Sequence, residues 1–194
     1  MGTHPQAPGD LELVREFVNT LDVESGTDDL SSPGGLAAFY ESRGLLESGH
    51  PVGGSDLRTA VTLRAGLRDF LKSNHGDLPD QNTVGTLNQA LASLPLTLRL
   101  GGDGSLSLDA AGGGAGAALA RLVAIVFRSM AEGTWPRLKI CRSDACQWAF
   151  YDHSRNRSGN WCSMAVCGNR TKVRNFQSRA KARAATARLD SPKR

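Results

Sequence analysis

Cys141-Arg-Ser-Asp-Ala-Cys146 and Cys162-Ser-Met-Ala-Val-Cys167 are the two stretches that decide the fold of the C-terminal part of this chain. They hold all four cysteines of the protein, and 15 residues separate the two pairs. Two short loops of this kind can each bring two thiolates to one tetrahedral ion, and four thiolates leave that ion no open position. The spacing therefore predicts one structural zinc ion (Zn2+) bound by Cys141, Cys146, Cys162 and Cys167. Two disulfides or four free thiols are the alternatives, and a reducing cytoplasm disfavours the disulfides.

The residues around the cysteines indicate how the two pairs are held. Strand-forming residues flank the first pair, which predicts a hairpin with Cys141 and Cys146 at its turn. Cys162 and Cys167 are five residues apart, about 140° around an ideal helix, so they do not share one helical face. We therefore expect Cys162 to precede a helix or to lie in a distorted turn. A helix predicted from about Thr171 to Leu189 then completes a small treble-clef-like zinc domain.

Charge divides the chain into two parts of opposite sign. Residues 135–194 contain 14 Lys and Arg against three Asp and Glu, a net charge of +11, whereas residues 1–134 contain nine against 16, a net charge of −7. We predict an N-terminal domain over 1–134 and a zinc domain over 135–194. A segment this basic attracts polyanions, and nucleic acid is the commonest such partner in the cytoplasm. A solvated basic tail is the alternative.

Apolar periodicity predicts that the N-terminal domain is multihelical with one β-hairpin. Apolar residues recur at helical spacing in five segments, and the period changes to two over 96–110, where four residues from Gly101 to Gly104 supply a turn. The predicted helices cover residues 11–21, 33–45, 56–73 and 80–93, and a strongly apolar fifth helix ends near Gly133. The predicted fold class is therefore α+β, mainly α, with the zinc domain ending in a helix.

Neither a membrane span nor a signal sequence is predicted. The longest apolar run, about Ala117 to Phe127, is interrupted by Arg121 and is shorter than the roughly 20 residues that cross a bilayer. The first ten residues lack the basic and apolar regions of a secretory signal. We therefore expect a cytoplasmic protein.

The sequence around the cysteines also resembles a known family. Cys162-Ser-Met-Ala-Val-Cys167-Gly-Asn-Arg170, preceded by Arg137-Leu-Lys-Ile-Cys141 and Phe150-Tyr-Asp-His-Ser154-Arg-Asn-Arg157, is similar to the CGNR zinc finger. The similarity covers about Trp135 to Arg179. It implies that the same four cysteines bind the metal. Gly159 and Asn160 stand where basic residues are frequent in the family.

The N-terminal part resembles the domain that accompanies this finger more loosely. Phe17-Val-Asn19-Thr20 and Asp29-Leu-Ser-Ser-Pro33 are similar to the pattern of the ABATE domain. Proteins with both parts form a bacterial family described as stress-induced transcription regulators. The resemblance implies a role in transcription regulation and raises the expectation of DNA binding.

Basic residues in and after the zinc motif are the predicted nucleic-acid contacts. On the predicted C-terminal helix, an apolar stripe that begins with Val173 and Phe176 would pack inward while cations face outward. Arginine binds guanine and asparagine binds adenine, so Arg170, Arg174 and Asn175 are the candidates for base contacts. Because Arg170 follows a zinc ligand, bonds to backbone carbonyls or ligand sulfurs are the alternative for it. The full predicted set is Arg155, Arg157, Arg170, Lys172, Arg174, Asn175, Arg179, Lys181 and Arg183.

The acidic N-terminal domain is the predicted sensor of a small-molecule effector or a partner. Polar groups beside apolar helix stripes can converge in a pocket, which makes Asn19, Asp22 and Arg64 the candidate ligand-binding residues. A hydrogen bond from Asn19 to a helix end and an ion pair of Arg64 are the alternatives. Docking of the acidic surface on the basic domain, which would inhibit it, is another.

No catalytic residues are predicted. Asp152, His153 and Ser154 have the residue types of a hydrolase triad, but adjacent residues rarely point together and no nucleophile-elbow motif is present. The sequence predicts a zinc-containing DNA-binding transcription regulator and not an enzyme. A zinc-stabilised protein-interaction module or an RNA-binding module is the alternative, because closed four-cysteine sites serve all of these.

Overall fold

The computed structural model describes residues 5–189, which form six α-helices and six short strands. The strands pair in three antiparallel hairpins, each made of consecutive strands. A 3₁₀ turn, Trp135–Arg137, leads into the third hairpin, and a π-helical turn, Met164–Gly168, precedes the last helix. The helices are α1 (Leu11–Val18), α2 (Pro33–Ser42), α3 (Gly54–Ser73), α4 (Gln81–Ala92), α5 (Gly114–Ala131) and α6 (Asn169–Leu189). The strands are β1 (Leu21–Asp22), β2 (Thr27–Asp28), β3 (Leu96–Leu100), β4 (Leu106–Ala110), β5 (Leu138–Ile140) and β6 (Ala149–Tyr151).

The predicted fold class, α+β and mainly α, is confirmed, and the elements differ from the prediction mainly at their ends. Helix α3 begins at Gly54, two residues earlier than predicted, because the Asp56 carboxylate accepts the backbone N–H of Gly53 at 2.7 Å and caps an earlier turn. The short β1–β2 pair is an addition to the predicted elements. Its turn contains Gly26 at φ +73°, a backbone conformation that favours glycine.

Helix α5 lies at the centre of the core. It packs against α1, α3 and the β3–β4 hairpin, and Leu119 and Leu122 are almost completely buried. By length and composition alone this helix could cross a membrane, but 61% of it is buried inside the fold. That burial is typical of the core helix of a globular protein.

The β5–β6 hairpin belongs to the same core. Leu138, Ile140 and Ala149 are at most 2% exposed and share one apolar cluster with side chains of α1, α3 and α5. A second, smaller cluster contains cysteines and Phe150, with Trp148 packed against it. Apolar packing therefore attaches the hairpin to the helical part of the protein. The division into two domains at residue 134 stays a prediction.

Candidate metal centre

The turn of the β5–β6 hairpin positions the first cysteine pair, as predicted. The backbone N–H of Cys141 donates to the Trp148 carbonyl at 2.9 Å, and that of Cys146 donates to the Ser143 carbonyl at 2.8 Å. Gln147 follows at φ +50°, which turns the chain back into β6. One tight loop therefore carries both cysteines of the first pair, and both are buried.

The second pair lies across the π-helical turn that begins α6. Cys162 precedes this turn and Cys167 lies within it, so the two do not share a regular helical face, as predicted. The Ser163 hydroxyl caps the turn by accepting the N–H of Val166 at 3.3 Å. A Cβ at Gly168 would lie 2.5 Å from the sulfur of Met164, so only glycine fits this position without a shift of its neighbour.

The four sulfurs converge on one point. All four Sγ atoms lie within 4.8 Å of one another, with 3.6 Å between Cys146 and Cys162 and 3.7 Å between Cys162 and Cys167. Four sulfurs bound at about 2.3 Å to one tetrahedral zinc ion would lie about 3.8 Å apart. A disulfide needs about 2.05 Å, so these distances fit a shared ion and not a covalent bond. We call Cys141, Cys146, Cys162 and Cys167 the cysteine cluster; it holds one structural zinc ion.

The thiols of the cysteine cluster shift one another's pKa in opposite directions. Hydrogen bonds from the Cys146 and Cys162 thiols hold the pKa of Cys141 well below its usual range. The pKa of Cys146 and of Cys162 is raised, chiefly because each thiol donates its proton to Cys141. Burial raises the pKa of Cys167. The protein by itself stabilises one thiolate, and a divalent cation is what makes four thiolates compatible at these distances.

Asn19, at the C-terminal end of α1, connects the helical part to the hairpin. Its side-chain Nδ2 donates to the Ala149 carbonyl at 2.9 Å, and its Oδ1 accepts the Ala149 N–H at 2.8 Å. Asn19 is a buried side chain with both polar atoms bonded to the strand that leaves the cysteine loop. A ligand-binding role for Asn19 stays a prediction, and the structure gives this amide a structural role.

Replacement of Asn19 by alanine is expected to leave the buried N–H and C=O of Ala149 without partners. Each unsatisfied group costs about 1–3 kcal/mol, so the free energy of unfolding in urea should fall by at least about 2 kcal/mol. Asn88→Ala, at an exposed position of α4, is the matched control and should change it by less than about 0.5 kcal/mol. Equal effects of the two substitutions would contradict the connecting role of Asn19.

Two side chains at the end of α3 hold the other strand of the hairpin. Asn74 Nδ2 donates to the carbonyls of Trp135 and Leu138 at 2.9 and 2.7 Å. His75 Nε2 donates to the Ile140 carbonyl at 2.7 Å, and burial lowers the pKa of this imidazole, which favours the neutral ring. Neither contact is predicted from the sequence; the signal for both is the position of two polar residues directly after a long amphipathic helix.

Arg64 forms the ion pair that the sequence left open as an alternative. Its buried guanidinium donates to the Asp28 carboxylate at 2.5 and 2.8 Å and to the Thr20 hydroxyl at 3.1 Å. These bonds from Arg64 lower the pKa of Asp28. One helical turn further on, Arg68 donates to the carbonyls of Val18 and Leu21. Two arginines of α3 therefore bind the chain between the end of α1 and β2.

Asp22 shapes the β1–β2 turn and thereby places the acidic side chain of Glu24 against α6. Its carboxylate accepts the backbone N–H groups of Glu24 and Ser25 at 2.9 and 3.2 Å. The Glu24 carboxylate then accepts a hydrogen bond from Arg170 of α6 at 2.5 Å. Asp22 and Arg64 both have hydrogen-bond partners within the protein. Ligand binding by these two residues stays a prediction.

The predicted nucleic-acid residues are exposed wherever their side chains are described. This holds for six of them; Asn175, Lys181 and Arg183 belong to α6, but their side chains lie outside the described part of the chain. The predicted inward packing of the apolar stripe is wrong, because Val173 is 56% exposed and Phe176 is 75% exposed. Helix α6 contacts chiefly the π-helical turn before it, so no other described element covers this side. The six exposed cations are Arg155, Arg157, Arg170, Lys172, Arg174 and Arg179.

A buried ion pair holds the segment that carries Arg155 and Arg157, which we call the basic loop (residues 153–158). Lys139 Nζ donates to the Asp152 carboxylate at 2.9 Å and to the Arg157 carbonyl at 2.6 Å, and both charged side chains are at most 4% exposed. The same carboxylate accepts two backbone N–H groups at 2.7 and 3.0 Å. A Cβ at Gly159 would lie 2.8 Å from it, so the loop needs glycine there. A lysine between two apolar strand residues is the sequence signal for this pair.

The fold and the cysteine cluster define the protein as a zinc-finger protein, with a structural metal site built onto a mainly helical domain. Residues 137–180 match the family model of the CGNR zinc finger. Residues 11–133, more than half of the chain, match that of ABATE, described as "Putative stress-induced transcription regulator". The chain belongs to the ABATE family and ends in a CGNR zinc finger, as its sequence predicts. Among curated proteins, none matches the chain.

Proposed function

We propose that this protein is a transcription regulator that binds duplex DNA through its zinc finger, residues 137–180. The observation that carries the proposal is the exposure of the six cations on a scaffold held by the cysteine cluster. Between Asp152 and Asp190 the chain has no acidic residue, and the two of these cations that pair with carboxylates, Arg170 and Arg174, do so only in exposed ion pairs. Contacts of arginine and lysine with phosphates supply most of the sequence-independent affinity for DNA.

The residues that resemble a catalytic triad form hydrogen bonds within the protein. The Asp152 carboxylate binds Lys139 and the backbone of the basic loop. The ring of His153 instead pairs through Nε2 with the Gln6 carbonyl at 2.9 Å and packs edge-on against Tyr151. Both groups have structural partners, and we propose no catalytic function.

The salt dependence of binding tests the proposal. We expect the full-length, zinc-loaded protein to contact about six phosphates, so the logarithm of its affinity for a short duplex should fall with the logarithm of salt concentration with a slope of about −5. Arg155→Ala combined with Arg157→Ala should reduce the magnitude of that slope by about 2, which fluorescence anisotropy measures. Arg58→Ala, an exposed arginine of α3, is the control and should leave the slope unchanged. An affinity independent of salt would contradict the proposal.

Duplex RNA of the same length separates the proposal from its nearest alternative. An α-helix fits the major groove of B-form DNA, whereas side chains cannot read the deep and narrow major groove of A-form RNA. We therefore expect tighter binding to DNA at equal salt. Tighter binding to RNA would favour an RNA-binding module instead.

We further propose that the N-terminal part, residues 1–134, senses a ligand or a partner. Two contacts support this proposal: Asn19 at the end of α1 bonds to β6, and Glu24 in the β1–β2 turn bonds to Arg170 of α6. A ligand that displaced either segment would also move the part of the zinc finger to which it is bonded. Hydrogen exchange with and without a candidate effector would detect such a movement in residues 138–151.

A further inference from the structure

One face of the π-helical turn and of α6 combines polar and apolar side chains in a line. Its members lie three or four positions apart and, together with Ala165, line a shallow groove of about 510 Å³. The valines of the groove are 44% and 56% exposed, so no other described element covers it. We call this set the α6 groove face: Val166, Asn169, Arg170, Val173, Arg174 and Gln177.

The α6 groove face contains residue types that proteins use to read base edges in the major groove. Arginine binds guanine through two hydrogen bonds, glutamine binds adenine in the same way, and apolar groups contact the thymine methyl. Asn169 Nδ2 already donates to the Ala165 carbonyl at 3.1 Å, which leaves Gln177 as the free amide of this kind among the named residues. No acidic residue belongs to the face.

Charge selects DNA over a second copy of the chain as the occupant of this face. Residues 169–189 carry seven Lys and Arg and no Asp or Glu, so two such helices would repel each other. Both arginines of the face already bind carboxylates: Arg170 binds Glu24 at 2.5 Å, and Arg174 binds Asp144 at 3.7 Å. These ion pairs are exposed, and exposed pairs are weak enough to exchange for a phosphate or a base.

We infer that the α6 groove face reads DNA sequence, with Arg170 and Arg174 at guanines, Gln177 at adenine and Val173 at a thymine methyl. This inference rests on the proposed function and assigns its sequence specificity. Lys172 and Arg179 are seven residues apart and lie together on one flank of the α6 groove face, because each residue turns an ideal helix by about 100°. From this flank their long side chains reach phosphates, which carry no sequence information.

Selection from a pool of random duplexes tests the inference with the zinc-loaded, full-length protein. The wild type should enrich a defined sequence. Gln177→Ala and Arg174→Ala should each lose roughly 5- to 100-fold of the preference at one base pair of that sequence. Lys172→Ala is the matched control: it should weaken binding to every duplex alike and leave the enriched sequence unchanged. Zinc content and melting temperature, measured for each variant, should equal those of the wild type.

The outcomes separate this inference from the proposed function. If the wild type binds duplexes with the expected salt slope but enriches no sequence, the inference fails and the proposed function stands. The same holds if Gln177→Ala and Arg174→Ala both enrich the wild-type sequence unchanged. If the wild type does not bind duplex DNA at low salt, both fail together.

Discussion

Replacement of Cys141 by serine is expected to release the zinc ion and to lower the melting temperature of the whole chain. Bound zinc stabilises the folded state by about 4 kcal/mol when its free concentration is a thousandfold above its dissociation constant. For a chain of this size, that loss corresponds to a fall of roughly 8–16 °C. Because Leu138 and Ile140 of β5 belong to the same core as α1, α3 and α5, we expect one transition to shift as a unit.

Metal analysis and calorimetry together check this expectation. The wild type should contain one zinc ion per chain, and Cys141→Ser much less. Ala145→Ser introduces the same hydroxyl at an exposed position in the same loop and should keep both the zinc and the melting temperature. A Cys141→Ser variant that retains a full equivalent of zinc and melts with the wild type would show that the cysteine cluster is not the metal site.

Replacement of Asp152 by asparagine is expected to lower the free energy of unfolding by about 3–5 kcal/mol, because it leaves the buried charge of Lys139 without its partner. Both side chains are almost fully buried, and the Asp152 carboxylate also holds the two ends of the basic loop. Denaturant unfolding at pH 7 measures the loss. Asp109→Asn removes the same charge from an exposed pair with Arg99 and should cost no more than about 1 kcal/mol.

The pH dependence of unfolding identifies the charge as the cause. Burial alone would raise the pKa of Asp152, but hydrogen bonds from Ser154 and Lys139 outweigh it and hold the pKa well below its usual range. A carboxylate of this kind stabilises the fold above its unfolded pKa of about 3.9, and the contribution is lost as pH falls through the lower folded pKa. The difference between wild type and Asp152→Asn should therefore be constant above about pH 5 and shrink below it. A difference that did not depend on pH would mean that shape, and not charge, holds the loop.

The elements and the metal ligands could be predicted because their determinants are local. Helical spacing of apolar residues decides which segments become α1 to α5, and each cysteine pair needs only one short loop to bring its two sulfurs together. The five-residue spacing of Cys162 and Cys167 predicts that Cys162 precedes a helix or lies in a distorted turn, and in the structure Cys162 precedes the π-helical turn Met164–Gly168. Cap positions are decided by single side-chain bonds, such as that of Asp56, which is why the predicted start of α3 lies two residues too late.

The sequence by itself determined the helices, the cysteine cluster and the excess of positive charge at the C-terminal end. The tertiary structure alone decided that Asn19 bonds to a strand 130 residues away, that Lys139 meets Asp152, and that Val173 and Phe176 stay exposed. Periodicity states which residues share a face of an element, since that follows from backbone geometry. Whether another element covers that face, and which distant polar group lies opposite it, depends on how the whole chain packs.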